Sequence, residues 1–411
     1  MHILLIHQAF AALDEPGGTR HYELARHLVR RGHRVTIIAS PVSYITGHPS
    51  SLPSGSEEND AITILRAPTY HALHKSFVHR TLAFFSFMFS SFFIGLRVRE
   101  VDLVWGTSPP IFQAWTAWLL ARLKGVPFLF EVRDLWPYFA VAVGVLTNPV
   151  LIRMSEWLER FLYRGADRVM VNSPGFIAHV TGRGAKRVEL VPNGADASMF
   201  DPSDEGAAFR RSHGLEGKFV VLYAGAHGMS NDLDVVLDAA RLLEGEPHIQ
   251  IVLLGDGKEK PRLVARAHEM GLTNVTFLPP LPKRRMPEAL AAADACIAIL
   301  KPLEAYKTTY PNKVFDYMAA GRPIVLAIDG VIRQVVEAAD CGLFTPPGDP
   351  QAMARAIRQL AADSEVARAM GLRGRRYVEQ HFHRADLAHR LAELLEAMVS
   401  QQSNNPTPAR G

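Results

Sequence analysis

Several short segments of the chain combine residue types that can do chemistry at a useful spacing. The sharpest is Pro311-Asn312-Lys313-Val314-Phe315-Asp316-Tyr317-Met318-Ala319-Ala320-Gly321-Arg322-Pro323. Asn312 can cap a helix that carries Lys313 and Asp316 in its first turns, Gly321 can end it, and Pro323 can open a strand. Phosphate oxygens would meet the amides at such a helix start. A carboxylate accepts one O–H on each oxygen, so Asp316 suits vicinal ribose hydroxyls. Gly255-Asp256-Gly257, with Lys260 on the next turn, offers backbone N–H groups and a point charge for a diphosphate. A tight turn beside a solvated lysine is the plain alternative. Gly225-Ala226-His227-Gly228 follows an apolar run ending at Tyr223 and reads as a second ligand-lining loop, with Gly228 as a backbone contact and His227 as a catalytic candidate.

In the first half, Gly17-Gly18-Thr19 opens a helix. Paired glycines let the backbone approach a ligand, and the amides there could meet a phosphate or a sugar oxygen. A simple turn and cap explains them equally well, and His21 reads either as a packed surface histidine or as a ligand contact. The spacing matches neither dinucleotide fingerprint nor P-loop. In Glu131-Val132-Arg133-Asp134-Leu135-Trp136-Pro137, Asp134 and Arg133 could orient acceptor hydroxyls beside a rigid Trp136-Pro137 shoulder, which makes both catalytic candidates. Asp134 could instead pair with Arg133 or cap a turn. No Asp-x-Asp or histidine cluster announces a metal.

Positioning these loops requires strands that end at them. Residues 2–7, 34–39, 62–66, 102–105, 127–131 and 168–171 read as strands, with a helix over 18–31 whose Leu24 and Leu28 share a face. Residues 219–223, 249–254, 275–277, 295–299 and 324–327 repeat the pattern, with helices over 232–243, 258–269, 312–320 and 331–339. Apolar strands alternating with helices predict α/β domains with parallel sheets covered on both faces. The polar, turn-rich stretch 192–217 separates them. The expected organisation is a domain over 1–195, a second over 196–383, a helix over 384–399 that crosses back to the first, and a flexible tail over 400–411. A ligand cleft is expected at the C-terminal ends of the strands.

Composition narrows the classes of function. The chain has 411 residues, 48% hydrophobic and 21% charged, enough to bury full cores. A net charge of +4 from 45 basic and 41 acidic residues is too balanced for a nucleic-acid binder. Two cysteines exclude a disulfide scaffold or zinc cluster, and the first residues read as a strand rather than a signal peptide, so a reducing cytoplasm is expected. Charge is uneven: residues 61–99 hold Arg66, Lys75, Arg80, Arg97 and Arg99 and no acid. Inside that stretch, residues 82–96 read LAFFSFMFSSFFIGL, too short for a comfortable span of about 20 residues. With its basic flanks the run fits a helix lying at an anionic membrane surface. A buried crossover helix or a dimer face fits as well.

GGTRHYELARHLVRRGHRVTII, EVRDLWP, VNSPGF, VPNGAD, YAGAHG, GDG and PNKVFDYMAAGRPIV, in this order, resemble the bacterial retaining glycosyltransferases of the GT4 type. Within them the chain is most similar to WbuB-type amino-sugar transferases of O-antigen and capsule assembly. The resemblance implies a GT-B fold of two Rossmann-like domains facing across a cleft, the first binding acceptor and the second the nucleotide-sugar. It implies that Asp316 takes the ribose hydroxyls, that Lys260, Lys313 and the amides near Gly228, Gly257 and Asn312 meet the diphosphate, and that Gly17 and Gly18 lie close to it. It further implies a UDP-linked donor, no cofactor or catalytic metal, and transfer of an N-acetylated sugar to a lipid-linked saccharide at the inner leaflet of the cell membrane. Two departures stand out. Thr308 occupies the position eight before Asp316 where the family carries a glutamate, and the family's Arg and Lys are missing after the first strand of the second domain. A soluble acceptor, or a degenerate or epimerase-like relative, remains open at this point.

Overall fold

The computed structural model describes residues 1–43, 55–57, 61–70 and 77–404. Lys75, the side chain of Arg80 and residues 405–411 lie outside the described residues. The chain forms two compact units, Met1–Pro192 together with the chain from Ala385 onward, and Asn193–Arg384.

The first unit is built on eight strands, β1 (His2–Ile6), β2 (Arg34–Ala39), β3 (Gly55–Glu57), β4 (Ile62–Arg66), β5 (Leu103–Ser108), β6 (Phe128–Val132), β7 (Arg168–Val171) and β8 (Val188–Leu190). Their order is β3-β4-β2-β1-β5-β6-β7-β8, parallel throughout except for β3. Every residue of β1 is buried, with Ile3 opposite both Val35 and Leu103. Alternation divides the strand between two cores. Ile3 and Leu5 join Leu24 and Leu28 of the Arg20–Arg30 helix on one face, while Leu4 and Ile6 join Phe87 and Ala117 on the other. An unbroken apolar run is what a parallel sheet covered on both faces demands. The Arg384–Asn404 helix adds Leu387, Leu391 and Leu395 to the Ile3 core.

The second unit carries β9 (Phe219–Ala224), β10 (Ile249–Leu254), β11 (Val275–Leu278), β12 (Ala295–Ile299), β13 (Ile324–Ala327) and β14 (Gly342–Phe344) in the order β11-β10-β9-β12-β13-β14. Val221 and Tyr223 of β9 point into one core, and Val220, Leu222 and Ala224 into the other. Both units are therefore doubly wound, Rossmann-like α/β domains, as the alternating pattern implied. The strands that the pattern did not reveal, β3, β8 and β14, are three-residue members at sheet edges, too short to show a period.

The aromatic run belongs to one helix, Phe77–Arg97. Ala83, Phe87 and Ser91 are buried, whereas Leu82, Phe85, Phe89, Phe93 and Leu96 are exposed at helical spacing on the opposite stripe. The crossover reading thus describes one face, and the other is left apolar and bare. Among the described residues no helix is long and apolar enough to cross a membrane.

Candidate functional site

In the second sheet β9 is flanked by β10 on one side and β12 on the other. The loops at its C-terminal end therefore stand at a topological switch point, where an open α/β sheet leaves room for a ligand. The loops after β9 and β10 are laced together: the Gly225 N–H donates to the Leu254 carbonyl at 3.0 Å and the His227 N–H to the Asp256 carbonyl at 2.8 Å. Glycine is obligatory in the contact. Gly255 has φ +147°, and a Cβ there would fall 1.9 Å from the Gly225 oxygen; at Gly257, φ +153°, it would fall 2.5 Å from the His227 oxygen. Lys260 is not a solvated lysine. Its Nζ donates to the carbonyls of Gly255 at 2.7 Å and Leu278 at 2.9 Å, tying the loop after β10 to the end of β11 and leaving one of its three donors.

The Asn312–Ala319 helix begins after an extended Pro311, so Asn312 is its first residue and not its cap. The expected capping role is corrected: Nδ2 of Asn312 donates to Asp316 Oδ2 at 3.3 Å, and its Oδ1 accepts from Arg384 at 3.2 Å. The side chain braces the carboxylate one turn on. Asp316 Oδ1 lies 2.6 Å from Lys283 Nζ, a residue from the turn before the Met286–Ala291 helix. Gly321, at φ +67°, follows the end of the helix as its spacing implied.

Lys313 is the unusual cation. Its Nζ is buried with no hydrogen-bond acceptor among the described residues and sits 3.9 Å from the centroid of the Tyr223 ring. A Cβ on Gly225 would be 2.7 Å from that Nζ, so the glycine makes room for it. Burial pushes the Lys313 amine down to about 7. Both ring nitrogens of His227 are likewise buried without partners, and burial, helped by the Lys260 and Lys313 charges, pushes the ring down to about 4. The Asp256 carboxylate acts on Lys260 and on the His227 ring, but no anion among the described residues offsets the burial of Lys313. A polyanionic ligand would complete their hydrogen bonds and restore the charge on Lys313.

In the first unit β1 occupies the matching switch point, between β2 and β5. Gly17, φ +154°, approaches so closely that a Cβ would lie 2.7 Å from that of Ala11, whereas Gly18 is exposed with open space around it. Beneath this loop lies a buried network. Glu131 accepts from Arg20 Nε at 3.0 Å, His21 Nε2 at 2.6 Å and Trp105 Nε1 at 3.1 Å. Burial alone would raise the carboxyl, but the interactions with His21 and the Arg20 guanidinium overcome it and hold it at about 2. The surface reading of His21 is corrected, since the ring is 1% exposed. An ionised acceptor at Nε2 assigns its proton there and leaves Nδ1 bare. His7, fully buried and also without partners, packs 4.2 Å from it. Arg133 donates to the carbonyls of Ser108 and Pro109, at 3.2 Å each. Asp134 is exposed beside Arg133, and that neighbouring guanidinium favours its ionised form.

Three residues of these constellations were not singled out from the sequence. His7 directly follows the central strand, a position that could have flagged it. Lys283 stands in a Lys-Arg-Arg turn that resembles any solvated charge run, and the role of Glu131 depends on partners 111 and 26 residues away.

Two doubly wound units, each with its ligand loops at a switch point, define the fold of the GT-B glycosyltransferases. Sucrose-phosphate synthase from Thermosynechococcus elongatus superposes with a TM-score of 0.79 over 97% of this chain and 99% of that chain, at 20% identity. HepE of Anabaena, in complex with UDP-glucose, superposes with a TM-score of 0.72 over 97% and 100%, at 18% identity. In sequence, residues 17–194 match the glycosyl transferase 4-like domain and residues 218–363 the glycosyl transferases group 1. A relative from Escherichia coli, carrying the name colanic acid biosynthesis glycosyl transferase WcaI, is 26% identical over 353 residues, 82% of this chain and 86% of its own length. The chain is a nucleotide-sugar-dependent glycosyltransferase related to the GT4 transferases of sugar-polymer synthesis. Among the described residues no three His, Cys, Asp or Glu side chains gather where a metal could be held.

Proposed function

We propose that this glycosyltransferase moves a sugar, an N-acetylated hexosamine or deoxyhexosamine, from a UDP-linked donor to a lipid-linked saccharide during cell-surface polysaccharide synthesis, as a peripheral protein on the inner leaflet of the cell membrane. The observation that carries the donor half is the buried Lys313 amine, without an acceptor among the described residues, one turn from the braced Asp316 carboxylate. A diphosphate would meet Lys313, the remaining donor of Lys260 and the amides around Gly228, Gly257 and Asn312, while Asp316 takes the ribose hydroxyls. Gly17 and Gly18 would let the backbone of the first unit approach a ligand oxygen. These groups stabilise charge on the departing nucleoside diphosphate, which is where the bond-breaking step develops it. No metal is needed in this reading.

Transfer would proceed with retention, the departing phosphate oxygen helping to take the acceptor proton on the same face, with Asp134 and Arg133 orienting the acceptor. His227, neutral at physiological pH, would donate or accept at the donor without adding charge. WcaI, by its name, works in colanic acid biosynthesis, and HepE was seen with UDP-glucose. Both support the reading, as does the bare aromatic stripe of the Phe77–Arg97 helix for a lipid acceptor.

The test is binding and slow hydrolysis of UDP-N-acetylglucosamine, UDP-N-acetylfucosamine, UDP-glucose and GDP-mannose with EDTA present. One UDP-sugar should bind and release UDP. Asp316→Ala should weaken it about ten- to a hundred-fold, the size of about 1.5–3 kcal/mol for hydrogen bonds to a charged acceptor. A folded protein that binds no donor, or an Asp316→Ala variant with unchanged affinity, would defeat the proposal.

A further inference from the structure

A cavity of about 560 Å³ opens on the first unit between the Ile111–Lys124 and Pro149–Gly165 helices, formed by none of the residues discussed above. Trp118, Trp157 and Phe161 wall it, and Arg122, Arg160 and Arg164 reach into it. The walls are built with care. Trp118 lies against Gly165, where a Cβ would come within 2.9 Å of its indole nitrogen. Phe161 meets Trp118 edge-on at 4.7 Å and stacks on Trp157 at 5.5 Å. Arg122 is fixed by a bond to the Gly165 carbonyl at 2.8 Å. Arg160 has only Glu156 at 3.6 Å, and that carboxylate is shared with Arg183. Arg164 has no acceptor among the described residues, nor does the Trp118 indole N–H.

Three guanidinium groups facing one carboxylate call for an anion, and their planar forks suit phosphate. The rim calls for something else. Trp157 is 63% exposed, Met154 62%, Val150 60% and Leu123 59%, all on the same two helices. A small soluble phosphate would leave this apolar rim in water. A purely apolar partner would strip water from three cations and leave them unpaired, which is costly. An amphiphile satisfies both halves, and tryptophan beside arginine is the composition of a membrane interface. The Phe77–Arg97 helix, which packs on Ile111–Lys124 through the Gly95–Leu120 contact, carries the exposed Phe89 and Phe93 in the same unit.

We propose that this cavity binds the phosphate of an anionic phospholipid in a bilayer surface, with Trp157, Met154 and Val150 inserted at the acyl boundary. The inference deepens the membrane part of the proposed function, and its test needs neither donor nor turnover, so it can fail or succeed apart from the chemistry.

The measurement is co-sedimentation of the full chain with phosphatidylcholine vesicles, with and without phosphatidylglycerol. Binding should require phosphatidylglycerol, and Arg160→Gln combined with Arg164→Gln should weaken it about 30-fold, at about 1 kcal/mol per basic residue near an anionic surface. Trp157→Ser, at an exposed position that leaves the fold alone, should weaken binding as well. Arg241→Gln with Arg355→Gln, exposed on the second unit, removes the same charge elsewhere. A loss of equal size in that pair would show bulk charge at work and overturn the site. Equal binding to neutral vesicles, or displacement of the protein from vesicles by millimolar glycerol phosphate, would overturn the lipid as its occupant.

Discussion

Lys313 offers a sharp test of the donor site. Burial moves its amine from 10.5 to about 7, about 5 kcal/mol against the charged form. In the unliganded protein near pH 8, one unit above that value, about nine in ten molecules hold the amine neutral. A diphosphate at hydrogen-bond distance favours the ammonium and returns the pKa toward its ordinary value. Binding of UDP near pH 8 must then take up about 0.9 proton, falling to about 0.5 near pH 7 and about 0.1 near pH 6. Calorimetry in buffers of different ionisation enthalpy reads that number as a slope. In Lys313→Met, which keeps the length of the side chain and removes the charge, the slope should vanish and affinity should fall. His227 is the competing proton acceptor, but from about 4 it would have to rise to about 9 to take up as much near pH 8. Uptake should therefore survive in His227→Asn. A wild-type slope of zero near pH 8, or a slope abolished by His227→Asn and untouched by Lys313→Met, would refute the reasoning.

Three further outcomes follow from the folded state. Glu131, held at about 2 against an ordinary 4.5, binds fewer protons folded than unfolded at acid pH. Its stabilisation, about 3 kcal/mol, is complete above pH 4.5 and is lost as the pH falls from there toward 2; urea unfolding across that window should show the slope, and Glu131→Gln should remove it while costing about 3–5 kcal/mol at neutral pH for the stranded arginine. Gly255→Ala, whose Cβ would meet the Gly225 oxygen at 1.9 Å, should lower stability by about 3 kcal/mol or more in thermal denaturation. Gly18→Ala meets nothing within 4 Å and should shift stability by less than about 0.5 kcal/mol, so a loss of turnover in it would report contact with substrate.

The fold was legible because its strands are apolar on both faces and its helices are spaced by glycines and prolines. β1 and β9 could be read from composition alone, since burial on two sides leaves no polar alternation to confuse them. The three edge strands left no such trace. The glycine turns of the second unit were also legible, because the positive φ at Gly225, Gly255 and Gly257 restricts those positions to glycine whatever surrounds them. What stayed hidden depends on distance in space. Lys260 was visible as a charge, but its two carbonyl partners lie in Gly255 and in Leu278, and only the pairing of β10 with β11 brings the latter near. Lys283 and Asp316 are 33 positions apart and carry no local sign of their pairing.

The two departures from the GT4 pattern bear on the same electrostatics. Thr308 brings no carboxylate, and its hydroxyl donates to the Ala305 carbonyl at 2.7 Å. The missing Arg and Lys after β9 remove two cations, so the site lacks one anion and two cations against the family pattern, a net deficit of one positive charge. A diphosphate site in water would simply lose affinity for that. Here Gly225 admits Lys313 from the opposite side of the loop, into a position where burial weakens its charge until an anion arrives. On the proposed donor reading the cation would be conditional: weak in the empty site, strong in the filled one, and of greatest effect when the leaving group carries its fullest charge. Interactions that strengthen toward the transition state raise turnover, whereas a permanent arginine at the same place would also hold the product.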